Sequence, residues 1–196
     1  GISRRGFIKS VGGGIVGAAA IGSMKTAKAA EYGQVVGPDE ARITLTVNGE
    51  ERSLTLDPRT TLLDALRDSL KLTGSKRVCN KGQGGACTVI FDGRTVLACS
   101  MLAIDADGGS VTTIEGLAQG EVLHPLQKTF VENDALQCGF CTPGFIMSGA
   151  ALLQHNPTPS MDEIKRAVSG NLCRCGTYPH VFKAIADAAE TMRKGG

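Results

Sequence analysis

Arg42-Ile43-Thr44-Leu45-Thr46-Val47-Asn48-Gly49, followed by Ser53-Leu54-Thr55-Leu56, decides how the first half of the chain is read. Ile43, Leu45 and Val47 alternate with polar residues, the period of a strand with one buried face. Asn48-Gly49 is a two-residue hairpin signal, because both residues tolerate the positive φ of such a turn. The stretch therefore predicts a β-hairpin. Just downstream, Thr61 and Asp64 read as a capping box for a helix with Leu62, Leu63, Leu66 and Leu70 on one face. Thr88 to Phe91, the turn Asp92-Gly93 and Thr95 to Ala98 read as a second hairpin, and Val111 to Ile114 as the last strand.

Hairpin, crossing helix and further strands make a small mixed sheet, in the order of a β-grasp ferredoxin, over residues 42–115. From about Gly116 the pattern turns helical. Helices are expected from Pro125, from Pro143 through Leu153, from Met161 through Val168 and from Pro179 through Met192. Proline suits a first helical turn, Ser160 and Glu163 form a capping box, and Gly170 supplies a stop. The Pro143 helix is apolar almost all round, which marks a buried element. The expected class is α+β: a β-grasp ferredoxin-like domain, then an all-helical domain over residues 116–196.

Upstream lies a leader, residues 1–30, and a polar linker, 31–41. Ser3-Arg4-Arg5-Gly6-Phe7-Ile8-Lys9 precedes a weakly apolar stretch from Val11 to Ser23 and then Ala27-Lys28-Ala29-Ala30. A positive head, a short apolar region and an A-x-A site in that order resemble a twin-arginine export signal. Cleavage after Ala29 and a periplasmic location are the expectations. That pathway carries folded proteins, which suits a chain loaded with a cofactor in the cytoplasm.

The 196 residues fit one to two domains of average composition, and fibrous and disordered classes drop out. Five of the 21 basic residues sit in the leader, which has no acid, leaving 16 basic against 19 acidic residues from Glu31 onward. A nucleic-acid footprint is not supported. Nor does any stretch reach the roughly 18 consecutive apolar residues of a membrane span. The unusual quantity is cysteine: seven, an odd number, crowded into a few short stretches, which suits metal ligation better than pairwise disulfides.

In the helical half, Cys138-x-x-Cys141 and Cys173-x-Cys175 each lie just before a proline-started helix. A four-thiolate cluster is an anion, and helix N-termini offer it free N–H groups and a favourable dipole. Spacing alone leaves three chemistries open: an iron–sulfur cluster, a tetrahedral zinc site, for which the one-residue gap is unusual, and disulfides. In the first half, Cys79, Cys87 and Cys99 surround the glycine-rich loop Asn80-Lys81-Gly82-Gln83-Gly84-Gly85-Ala86. Plant-type ferredoxins ligate a [2Fe-2S] cluster with C-x4-C-x2-C and a distant cysteine on such a loop. That spacing demands cysteine at position 84, which is Gly84.

Gly84-Gly-Ala-Cys-Thr-Val89, Cys99-Ser-Met-Leu-Ala103, Thr113-Ile-Glu-Gly-Leu117, Gln137-Cys-Gly-Phe-Cys-Thr-Pro-Gly144 and Gly170-Asn-Leu-Cys-Arg-Cys-Gly176 together resemble the small iron–sulfur subunit of molybdenum hydroxylases. The resemblance covers nearly the whole chain. That family includes xanthine dehydrogenases and bacterial aldehyde and isoquinoline oxidoreductases, and the leader resembles those of periplasmic aldehyde oxidoreductase small subunits. The last two motifs, with 31 residues between Cys141 and Cys173, are highly specific together.

The resemblance implies two [2Fe-2S] clusters, one in a β-grasp domain with Cys79, Cys87 and Cys99, one in a four-helix domain with Cys138, Cys141, Cys173 and Cys175. It implies a large partner whose molybdenum cofactor hydroxylates an aldehyde or N-heterocycle, with Gln137 and Cys175 close to that cofactor. This chain then carries electrons outward to a flavin (FAD) subunit or a haem-bearing cytochrome c subunit, with no substrate chemistry of its own. Two positions depart from the family pattern. Val78 stands where glycine precedes the first cysteine, and a β-branched residue resists left-handed backbone values. Gly84 replaces a ligand, so the ferredoxin-type cluster is expected to be altered or lost. The competing function is an exported zinc- or disulfide-stabilised subunit that escorts a partner; a free-standing enzyme is the weakest reading. His124, His155 and His180 read as surface or capping residues. Lys76, Arg77 and Lys81 form a basic patch that is either merely solvated or suited to docking an acidic electron acceptor.

Overall fold

The computed structural model describes residues 38–194. The leader and most of the linker lie outside these described residues.

Alternation of Ala41, Ile43, Leu45 and Val47 against polar neighbours produces strand β1 (Ala41–Val47), with those four side chains buried. Asn48 and Gly49 adopt φ of 53° and 84°, and the turn pairs Val47 with Glu50 at the start of antiparallel strand β2 (Glu50–Leu56). This strand is longer than expected because its charged start is a sheet edge. Glu50, Glu51 and Arg52 face solvent there, where charge discourages further strand pairing.

Three further strands follow: β3 (Thr88–Phe91), β4 (Arg94–Leu97) and β5 (Ser110–Thr112). The sheet order is β2-β1-β5-β3-β4, with β1 and β5 parallel and the other pairs antiparallel. A mixed sheet with a central parallel pair needs a long crossover. That crossover carries α1 (Leu62–Asp64), which runs on as a π-helical turn through Ala65–Ser69. Leu62, Leu63 and Leu66 are fully buried against the sheet, and Leu70 packs at the edge of the same core. The expected capping box is only half formed. Thr61 Oγ1 accepts from the Asp64 amide at 3.1 Å, but the Asp64 carboxylate turns to Arg77.

Four helices follow among the described residues: α2 (Pro125–Glu132), α3 (Thr142–His155), α4 (Met161–Ala167) and α5 (Tyr178–Lys194). Helix α4 has a complete capping box between Ser160 and Glu163. Helix α2 has one too, with His124 as cap and Gln127 as the returning group. Helix α3 is buried from Gly144 through Ala151 and again at Leu153, with Phe145 and Met147 fully enclosed. No helix among the described residues is long and apolar enough to cross a membrane.

The two halves have separate hydrophobic cores joined by one strand. On β3, Val89 belongs to the sheet core with Leu45, Leu66 and Val111, whereas Ile90 belongs to the helical core with Phe130, Phe145 and Ile185. Alternate side chains of a strand face opposite sides of a sheet. Strand β3 is thus the wall between the cores, and the described residues form one compact unit.

Candidate functional site

The glycine loop between α1 and β3 is shaped by three left-handed residues, Asn80, Gly82 and Gly85, at φ of 50°, 70° and 72°. Val78 is not among them, so its branched side chain costs the backbone nothing there; it is 58% exposed. The curled loop aims amides at sulfur. Gly82 N–H donates to Cys99 Sγ and Gln83 N–H to Cys79 Sγ, each at 3.3 Å. Amides of Lys81 and Gln83 lower the Cys79 thiol below its ordinary value, because they stabilise the thiolate. Cys87 and Cys99 are buried in contact; burial first, and the adjacent Cys99 sulfur second, push the Cys87 thiol up to about 11.

Position 84 is not left-handed, so nothing in its backbone calls for glycine. A Cβ built there meets a single neighbour within 4 Å, Cys79 Sγ at 3.9 Å. The carbonyl is anchored, accepting from Leu172 N–H at 3.0 Å. The surroundings therefore suit a side chain that the residue lacks.

Across from the loop, Cys141 caps the N-terminus of α3, with Pro143 in its first turn. Cys173 is buried and lies beside Cys141. Burial raises the Cys141 thiol to about 12, aided by Cys173. Burial also opposes ionisation of Cys173, but hydrogen bonds from Thr177, at 3.2 Å from the sulfur, and from Cys141 prevail and bring it down to about 7. Neighbouring thiols that resist ionising together would be relieved by a bound cation, which favours both thiolates. Tyr178 Oη accepts from the Cys173 amide at 2.8 Å and its ring meets Phe145 edge-on at 5.9 Å, fixing this segment on α3. Cys138, Cys175 and Gln137 are exposed beside the pair.

The two regions share one cleft of about 490 Å³, lined by Cys79 and Gly84 on one wall and Cys138, Cys141 and Cys173 on the other. Asn171 ties the walls from behind. Buried, it donates to Gly85 O at 2.9 Å and accepts from Ser148 Oγ of α3 at 2.7 Å. The sequence does not single out Asn171. Its burial depends on a contact 86 residues away in sequence, and only its place inside the Gly170–Gly176 motif could have drawn attention to it.

All seven cysteines are unbonded thiols. Among the described residues no three His, Cys, Asp or Glu crowd closely enough to grip one ion. The close contacts are instead pairs, Cys87 with Cys99 and Cys141 with Cys173. A single tetrahedral zinc needs four donors around one centre, whereas a [2Fe-2S] cluster asks two donors of each iron. Buried Thr142 Oγ1, next to Cys141, has no hydrogen-bond partner. Paired thiols, amides aimed at sulfur and a spare hydroxyl fit sulfur-rich clusters. On the helical side Cys138, Cys141 and Cys173 line one cleft and Cys175 is exposed, while on the loop side Gly84 brings no donor.

Two residues of the basic patch beside the loop have partners on the chain itself. Arg77 is paired with both Asp64 and Asp68, and Lys76 Nζ donates to Thr73 O. The histidines are structural: His124 caps α2, His155 meets Gly93 O and His180 meets Asn133 O.

Comparisons with known proteins agree. Residues 45–123 match the 2Fe-2S iron-sulfur cluster binding domain, and residues 113–186 the [2Fe-2S] binding domain that follows it. The chain belongs to the family of small iron–sulfur subunits of molybdenum hydroxylases, and is a subunit of an oxidoreductase complex. It is 41% identical over 207 residues to the aldehyde oxidoreductase iron-sulfur-binding subunit PaoA of Escherichia coli O157:H7, covering 98% of this chain and 90% of that one. It is also 48% identical over 150 residues to the nicotine 6-hydroxylase small subunit of Paenarthrobacter nicotinovorans, covering 76% and 90%. Among solved structures it superposes on a chain of quinoline 2-oxidoreductase from Pseudomonas putida 86 with a TM-score of 0.76 and 45% identity, over 80% of this chain and 98% of that one.

Proposed function

We propose that this chain relays electrons from a molybdenum cofactor on a large partner subunit, which oxidises an aldehyde or N-heterocycle, to a flavin or cytochrome c subunit. The observation that carries the reading is the single cleft whose walls bear residues of both cysteine sets. A [2Fe-2S] cluster, when bound, takes up and gives out one electron. Cys138, Cys141, Cys173 and Cys175 supply four thiolates for the first, in a four-helix domain starting near residue 116, with Gln137 and exposed Cys175 toward the partner's cofactor. Cys79, Cys87 and Cys99 supply three for the second, in a domain spanning 42–115, altered by Gly84. The chain's own work is to hold sulfur, exclude water with the Phe145 core and keep the two loops in register through Asn171 and the Leu172 amide.

The twin arginines Arg4 and Arg5 direct the folded complex to the periplasm. Absorption spectra with iron and acid-labile sulfide assays on the purified complex test the relay. Brown protein holding sulfide supports it, and colourless protein holding zinc replaces it with the escort function. Replacing Arg4 and Arg5 by Lys should leave both this chain and the large subunit in the cytoplasm, and periplasmic large subunit in that strain rejects the export reading.

A further inference from the structure

We infer that Thr177 is a positioning residue for electron transfer, whose hydroxyl donates to Cys173 Sγ and so raises the reduction potential of the helical iron–sulfur site. The inference rests on reading Cys173 as a ligand there. It goes beyond that reading by giving control of the potential to a side chain that binds no metal.

The contact is built into the chain. Cys173 Sγ and Thr177 Oγ1 lie 3.2 Å apart, four residues from each other in sequence, and both residues are buried. Gly176 between them has a φ of 80° and open space where a Cβ would stand, so its backbone conformation, not crowding, calls for glycine. That left-handed turn brings the chain back onto Cys173. The next residue adds a second hold, since Tyr178 Oη accepts from the Cys173 amide at 2.8 Å. Consecutive residues thus fix one cysteine at its sulfur and at its backbone. Cys173 and Tyr178 line the cleft and Thr177 does not, so the hydroxyl meets the sulfur from within the protein and leaves the cleft side free.

A thiolate carries no proton, so beside an ionised Cys173 the hydroxyl is the donor. Among the described residues, Thr177 has the one side-chain hydroxyl that reaches a sulfur of the helical set. On the loop side Ser100 Oγ stands 3.6 Å from Cys99 Sγ, but Ser100 is exposed and water competes with it. Buried Thr177 has no such competitor. Reduction adds one electron and one negative charge to the site. The electron comes from the partner's reduced cofactor and passes on to the acceptor, while the hydroxyl proton stays on oxygen. A donor at a ligand sulfur favours the more negative, reduced form, which is how hydrogen bonds to sulfur set such potentials.

The test uses the complete complex and compares the parent with Thr177→Val, which keeps the shape and removes the donor, and with Thr177→Ser, which keeps the donor. The signal followed is the one that Cys141→Ser abolishes. In a redox titration read by electron-paramagnetic resonance, Thr177→Val should be harder to reduce. The expected change is about tenfold in the reduced-to-oxidised ratio at a fixed potential, or about 59 mV for a one-electron couple. Thr177→Ser should stay near the parent. In electron–nuclear double resonance with exchange into D2O, the parent and Thr177→Ser should show an exchangeable proton coupled to that signal, and Thr177→Val should lack it. An unchanged potential in Thr177→Val would overturn the inference and leave the relay standing. So would a parent without the exchangeable coupling, a measurement that needs no variant to fold. An equal shift in Thr177→Ser would overturn it by making shape the cause, and loss of iron from Thr177→Val by making the hydroxyl a support of the site. A parent with no iron at the helical cysteines removes the proposed function, and the inference with it.

Discussion

The helical cysteine site and the glycine loop reach similar chemistry by different routes. At the helical site, position comes from packing: Cys141 sits at the end of a helix buried along nearly its whole length, and Cys173 is pinned through Tyr178 and Phe145. At the loop, position comes from backbone curvature, with left-handed Asn80, Gly82 and Gly85 turning amides toward sulfur. The lesson concerns tolerance. A loop that binds through amides keeps its shape after losing a thiolate, because the amides belong to residues other than the lost one. A site held by packed side chains has no such reserve.

The largest effect is expected from Cys141→Ser. It removes a sulfur from the packed pair and should cost about two irons per chain, one electron-paramagnetic signal and nearly all electron flow out of the molybdenum centre. A variant matching the parent in spectrum and turnover would break the comparison at its stronger side.

Next is Gly144→Ala, which attacks the contact between the regions. A Cβ there would lie 2.3 Å from Gly85 O, a backbone atom that cannot swing aside. The cost should be about 1–3 kcal/mol in anaerobic denaturant unfolding, with faster chelation of loop iron than of helical iron. Equal loss from both sites would show that the loop is not independently held.

Asn171→Ala should cost about 1–3 kcal/mol, chiefly by leaving the Ser148 hydroxyl without its buried acceptor, since Gly85 O keeps the amide and hydroxyl of Thr88 as donors. Its signature is again a loop cluster more easily chelated, read as the ratio of chelation rates for the two signals.

The smallest effect separates the helix caps. Thr61, which caps α1, does not titrate, whereas the His124 imidazole accepts from the Leu126 amide and must be unprotonated at Nδ1 to do so. Burial lowers its pKa from 6.5. The unfolded chain therefore binds the proton more readily, so this stabilisation is complete above about pH 6.5 and is lost as the pH falls toward the lower folded value. His124→Asn keeps an acceptor at the cap and should flatten the parent's loss of thermal stability between pH 7 and 5. Identical slopes would remove His124 from the account.

Local chemistry was legible in the sequence. Asn48-Gly49, the Ser160-Glu163 box and the proline-started helices were readable because each is decided within about four residues. Spacing pairs Cys138 with Cys141 and Cys173 with Cys175, whereas the neighbours in the fold are Cys141 with Cys173 and Cys87 with Cys99, which spacing does not reveal. What escaped needed partners far along the chain. Asp64 leaves its capping role for Arg77, 13 residues on. The π-helical turn at Ala65–Ser69 and the charged start of β2 depend on packing and on lying at a sheet edge. The strand expected over Val111 to Ile114 is Ser110–Thr112, because the Thr113 amide is taken by Asn48 Oδ1 and a short 3₁₀ turn begins at Ile114.

Strand β3, with Val89 in one core and Ile90 in the other, bears on how the gene could be cut. Split after residue 116, the second fragment would carry Phe130, Phe145 and Ile185 with an apolar face bared where Ile90 belongs, and the first would display Ile90 to water. Neither piece would stay monodisperse alone. Co-expressed, they should find one another and rebuild the shared wall.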